Sequence, residues 1–225
     1  MTVRHLLTMT SGLDWNEDVP YTDPKNTENL LDQSTDPARF TIDLPMAHEP
    51  GKRFQYSSGN AHLLSYIFKR ATGSDIAAYA QRHLFQSLGI NSYYWRQTPA
   101  GLSGTAGGLY LKSEDAARLM ELFLTHGDWE GKRIVPADWI RESLVPGRST
   151  GRLGMKYGYC LWLTSSFWDF HFHKTYVAAG FGDQWIIAIP HYDLVIVVTG
   201  WNLRPGEPSL GLFTTTRRVL DSIVQ

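Results

Sequence analysis

A phenol and two hydroxyls stand together at Tyr56, Ser57 and Ser58, inside the stretch PGKRFQYSSGNAHLLSYIFKRATG (residues 50–73). Pro50-Gly51 breaks any preceding element. Serine is a preferred N-cap residue. Leu63, Leu64, Ile67, Phe68 and Ala71 then recur at helical spacing, and Gly73 stands where a left-handed residue closes a helix. The spacing predicts a helix whose N-terminus carries all three hydroxyl groups. Free backbone N–H groups and the positive end of the helix dipole point the same way there, which suits binding an anion or lowering the pKa of an acid. The same pattern also fits a capped core helix with no chemistry.

A second candidate is the glycine-rich turn at residues 178–184, AAGFGDQ. Gly180 and Gly182 allow a backbone to approach a ligand closely, and the N–H of Phe181 could meet a developing oxyanion. A bulge or a tight corner of a sheet uses glycine in the same way. His171 and His173 lie two apart in an extended segment, hence on one strand face. Two ligands fall short of what zinc usually takes, so packing beside Trp168, Phe170 and Phe172 is the better reading and no metal is assigned. Phosphate-loop and H-E-x-x-H motifs do not occur.

The elements that must position these groups follow from pattern. Residues 2–12 read as a short helix ended by Ser11-Gly12, and residues 13–45 as a long surface excursion with one short helix near 28–33. Residues 75–88 continue as a helix ended by Gly89, and residues 101–108 form a loop. Ser113 caps a helix to about Thr125, and Pro136 at the first helical position opens another. Strands are expected at 157–163, 175–178, 184–189 and 194–199, the last two joined by a tight turn at 190–193, before a closing helix over 209–224. Helices, then strands, then a terminal helix predict one α+β domain over residues 1–225 with an antiparallel sheet flanked by helices. Net charge is -1 and 43% of residues are hydrophobic, which fits a globular chain and gives no reason to expect a nucleic-acid partner. No apolar run is long enough to span a bilayer, and His5 and Thr8 interrupt what would have to be a signal peptide. The single cysteine, Cys160, excludes an internal disulfide.

The order of these motifs resembles the β-lactamase-related serine hydrolases: class C β-lactamases, D-alanyl-D-alanine carboxypeptidases, related esterases and 6-aminohexanoate-dimer hydrolases. TVRHLLTMTSGL resembles the segment after the family's nucleophile helix. EPGKRFQYSSGNAHLLSYIFKRATG resembles its tyrosine motif Y-x-N. AAGFGDQWIIAIPHYDLVIVVTG resembles its third motif and terminal hairpin. The resemblance implies a β-lactamase/transpeptidase-like fold without a cofactor, acting on a small ester, amide or peptide through an acyl-enzyme. It makes Tyr56 the proton-transferring tyrosine, Ser58 the substrate-orienting position, and Gly180 and Phe181 the oxyanion side.

The departures are as informative. No serine in the chain has a lysine three positions later, and Ser65 and Lys69 are four apart. In the family the S-x-x-K helix precedes the TVRHLL segment. The resemblance therefore implies that the nucleophile helix and N-terminal strands are missing, that the chain alone is inactive, and that an N-terminal segment could complement it. Ser58 stands for the asparagine of Y-x-N, and Ala178 and Ala179 for the lysine and threonine of K-T-G, which disfavours efficient β-lactam turnover. Two alternatives remain: a non-catalytic protein that binds a peptide or cell-wall-like ligand, and a hydrolase using Ser11, Ser57 or Ser103.

Overall fold

The computed structural model describes residues 1–152, 154–164, 173–201 and 210–223. The chain forms two compact units, one of residues 1–111 with 148–150, the other of residues 112–147 with 151–225. The first unit is helical. It contains α1 (Val3–Leu7), α2 (Thr27–Asp32), α3 (Pro37–Ile42), α4 (Ser58–Thr72) and α5 (Ile76–Ala80), the last running into a π-helical turn at Gln81–Phe85. A short antiparallel pair, β1 (Tyr94–Trp95) with β2 (Leu109–Tyr110), completes it. Leu6, Leu31, Phe85, Leu88 and Ile90 are its most deeply buried apolar residues.

The central helix α4 starts and stops where the sequence places its caps. Ser57 is extended and its Oγ accepts the Asn60 N–H at 3.1 Å, while Gly73 is left-handed and its N–H donates to the Lys69 carbonyl at 2.9 Å. The buried face is not the expected apolar stripe. Ser58, Gly59, Asn60, Ala61, Leu63 and Ser65 are buried, whereas Ile67 and Ala71 are exposed. Small and polar residues line the first turns because another segment packs there at close range. That segment is residues 13–45, which corrects the reading of it as a surface excursion: Leu13, Trp15, Asn26, Leu31 and Thr41 are buried, and it holds the unforeseen α3 as well as α2. Asn26 caps α2 and its side chain also donates to the Val19 carbonyl at 2.9 Å. A Cβ on Gly59 would stand 2.6 Å from the Trp15 ring and 2.8 Å from Thr41 Oγ1. Gly59→Ala is therefore expected to cost about 2 kcal/mol of stability by overpacking, read from urea unfolding; an unchanged midpoint would show the contact to be soft.

The second unit holds α6 (Ser113–Leu124), the hairpin β3 (Asp128–Trp129) and β4 (Lys132–Arg133), and α7 (Ala137–Ser143). Among the described residues it then builds one antiparallel sheet from β5 (Met155–Tyr157), β6 (Trp162–Thr164), β7 (Thr175–Gly180), β8 (Gln184–Ile189) and β9 (Leu194–Val198), followed by α8 (Leu210–Ile223). The strand order is the chain order. The strand expected at 157–163 is two strands, because Gly158 turns the chain: its N–H meets the Leu161 carbonyl, and a Cβ there would lie 2.1 Å from the Ser143 carbonyl oxygen. Ser113 is the first helical residue of α6 and Lys112 holds the cap position, with no side-chain hydrogen bond. Pro136 likewise stands one position before α7 rather than inside it. Helix α6 packs on β8 and β9 through Met120, with Leu161, Leu163 and Ala188 in the same cluster. The mixture of helices and an antiparallel sheet is the α+β class that the pattern of elements predicts.

Candidate active site

Within the first unit, Tyr56 lies in the extended segment that enters α4, directly before the Ser57 cap. Ser58 is turned inward and buried. Its hydroxyl lies 2.8 Å from Glu17 Oε1 and 2.9 Å from Glu28 Oε2, and its N–H donates to Glu17 Oε2 at 2.8 Å. Trp15 Nε1 donates to the same Glu17 oxygen at 2.9 Å, and Tyr21 reaches Glu28 Oε2 at 3.4 Å. One N-terminal amide of α4 is thus held by a carboxylate, the charge its dipole favours.

Proton counting fixes the state of this cluster. Carboxylates only accept, and one serine hydroxyl carries one proton, so two carboxyl groups around one hydroxyl and in contact with each other need a second proton. Glu28 is the group that holds it. Burial, the hydrogen bond to Glu17 and the charge of Glu17 push its carboxyl up to about 8. Burial and the charges of Glu28 and Glu17 also raise the Tyr21 phenol, with a smaller contribution from Tyr56. Glu17, Tyr21 and Glu28 were not among the sequence candidates. Their signal was the density of acidic and aromatic residues in 15–32, hidden by reading that stretch as a loop.

In the second unit, Gly180 ends β7 and pairs with Gln184, so residues 178–184 form a hairpin end rather than a bulge. Gly182 and Asp183 are left-handed at φ 79° and 66°, a conformation that glycine and aspartate tolerate in tight turns. Phe181 tips that loop and is 64% exposed. Ala178 packs against the core cluster, and Ala179 points to the other face of the sheet. The structure thus brings Tyr56 and Ser58 together at one helix N-terminus, and Gly180 and Phe181 together at one hairpin.

The three alternative serines are all buried. The Ser57 hydroxyl is spent on the α4 cap. That of Ser11 accepts the Leu13 N–H at 3.4 Å. That of Ser103 donates to Asp75 at 2.7 Å. Burial alone would raise the Asp75 carboxyl, but hydrogen bonds from Ser103 and the first amides of α5 outweigh it and hold it below the usual carboxylate range. Such a carboxylate is a poor base, and the pair acts as a cap. His171 lies outside the described residues; His173 stacks on His191 with ring centroids 3.7 Å apart, and no cluster of metal-ligating side chains occurs among the described residues. No helix among them is long and apolar enough to cross a membrane.

A family model of beta-lactamases matches residues 1–209. The chain belongs to the beta-lactamase family. Among curated proteins, this family member is 28% identical over 159 residues to a 6-aminohexanoate-dimer hydrolase from Paenarthrobacter ureafaciens, covering 65% of this chain and 40% of that protein. Its fold matches that of a provisionally named 6-aminohexanoate-dimer hydrolase from Bacillus anthracis, with a TM-score of 0.78 at 18% identity over 99% of this chain and 61% of the other. It also matches an octameric penicillin-binding protein homologue from Pyrococcus abyssi, with a TM-score of 0.75 at 19% identity over 99% of this chain and 56% of the other. The beta-lactamase-family chain therefore spans less than two thirds of each of these relatives.

Proposed function

We propose that this chain supplies the tyrosine and oxyanion portions of a serine hydrolase that cleaves an ester or amide bond through an acyl-enzyme. The observation that carries the reading is the placement of Tyr56 at the mouth of α4, anchored by the Ser57 cap and by Ser58 between two carboxyl groups. In this role Tyr56 moves protons to and from the attacking serine and the leaving group. Phe181, after Gly180, offers a backbone N–H to the oxyanion. Ser58 acts as a positioning residue, because its hydroxyl is committed to Glu17 and Glu28 rather than turned to solvent.

The attacking serine comes from S-x-x-K, which does not occur in these 225 residues. Residual binding and oxyanion effects give only a small remnant of the rate. A chromogenic ester and a chromogenic β-lactam, offered to the chain alone and to the chain fused to a segment bearing the family's S-x-x-K helix and strands, test this. Turnover is expected only in the fusion, better on the ester than on the β-lactam, and Tyr56→Phe should lower it about 100-fold or more. Equal turnover by the chain alone would end the proposal. The second reading, a non-catalytic binder of a peptide or cell-wall-like ligand, is favoured by the same missing motif; ligand binding without turnover in both proteins would support it.

A further inference from the structure

Helices α2 and α4 face each other through two matched pairs of residues. Glu28 and Asp32 are four apart on α2, and Ser58 and His62 are four apart on α4, so each pair lies on one helix face. The upper pair is closed: Ser58 and Glu28 are hydrogen-bonded. The lower pair is open. Asp32 and His62 line a cavity of about 320 Å³, which lies wholly within the first unit and is walled on its far side by Arg96, Thr98, Gly104 and Gly107.

That far wall is a built loop. The Arg96 carbonyl accepts the Gly104 N–H at 3.0 Å, the Arg96 N–H donates to the Gly108 carbonyl at 2.8 Å, and the Trp95 indole donates to the Gly104 carbonyl at 2.6 Å. Gly108 has room only for hydrogen, since a Cβ there would lie 2.9 Å from Arg96 Cβ. The arginine stem is therefore seated on the loop. Neither the Arg96 guanidinium nor the Asp32 carboxylate has an ion-pair partner among the described residues, although both act electrostatically on His62. Burial lowers the His62 imidazole, Asp32 pulls it up and Arg96 pushes it down, so the ring is neutral at pH 7. Its Nδ1 is buried without a hydrogen-bond partner among the described residues.

The cavity thus presents one unpaired anion, one unpaired cation and a neutral polar ring. A ligand with one charge would answer one wall and leave the other unsatisfied, whereas a molecule with both ends charged answers both. We propose that this cavity is a binding site for a small zwitterion of amino-acid to short-peptide size, its ammonium group on Asp32 and its carboxylate on Arg96. The proposal is independent of the acyl-transfer reading, since it requires neither Tyr56 nor a nucleophile.

Titration calorimetry of the chain with diglycine, N-acetylglycine and glycinamide tests it. Diglycine carries both charges, and the other two carry one each. Diglycine is expected to bind at least about tenfold more tightly than either single-charge compound. Asp32→Asn should remove its advantage over N-acetylglycine, and Arg96→Gln its advantage over glycinamide. Both side chains are exposed, so circular dichroism should be unchanged in the variants. The three-compound comparison on the unsubstituted chain is decisive even if a variant fails to fold. Equal affinities for the three, no saturable heat from diglycine up to about 10 mM, or diglycine binding that survives both substitutions would overturn the proposal.

Discussion

Glu17→Ala is expected to lower the unfolding free energy by about 3 kcal/mol. One carboxyl group accepts from the Ser58 amide, the Ser58 hydroxyl and the Trp15 indole, which lie 41 or 2 residues away in sequence. Alanine leaves the Ser58 amide and the Trp15 indole facing a vacancy, with Trp15 and Ser58 buried, while the Ser58 hydroxyl keeps Glu28 as its acceptor. An orphaned buried donor costs more than its hydrogen bond contributes, and the penalty recurs for each. It falls on the start of α4, so the loss should appear as a lower urea midpoint with an unchanged slope. Glu17→Gln keeps one accepting oxygen and should lose less. A loss within about 0.5 kcal/mol for Glu17→Ala would mean that the cluster is ornamental.

Stability should also fall as pH rises from about 4.5 to about 8, through Glu28 alone. Its carboxyl titrates near 4.5 when unfolded and near 8 when folded, raised first by burial and then by Glu17. Between these values the folded state holds a proton that the unfolded state has lost, so unfolding releases a proton and stability declines as pH rises. The contribution is complete below the lower value and gone above the upper one. Discounted for partial solvent screening, it amounts to about 2 kcal/mol. Glu28→Gln replaces the protonated acid by a group that cannot ionise. The difference in urea stability between parent and variant should therefore change over this window and be flat outside it. Parallel curves from pH 4 to 9 would place the proton elsewhere.

Elements with local signatures were legible in the sequence. The caps of α4 at Ser57 and Gly73, the β8–β9 hairpin and the general course of the closing helix follow from hydrogen-bonding and dihedral preferences of single residues. Boundaries shifted where a turn needed no special residue, as at α6 and α7. What escaped reading was set by contacts far apart in the chain. Residues 13–45 look polar and proline-rich, yet Trp15 and Thr41 close on Gly59, and Glu17 and Glu28 converge on Ser58. A half-buried carboxyl pair leaves no periodic trace, because its acids are indistinguishable in sequence from solvated ones. The serines at 11, 57 and 103 were equally unreadable as nucleophiles, since their burial and hydrogen bonds depend on distant parts of the chain.

Because every strand from β5 to β9 pairs with the strand beside it along the chain, the sheet asks for only short closures. The entropy lost in bringing strand ends together rises with the intervening length, so this arrangement assembles by successive zipping, each hairpin in about 1–10 μs once nucleated. A polypeptide leaving the ribosome would present each strand with a mate already outside the exit tunnel. Such an order of emergence spares β9, the most apolar of the strands in this sheet, from waiting unmatched for a distant part of the molecule.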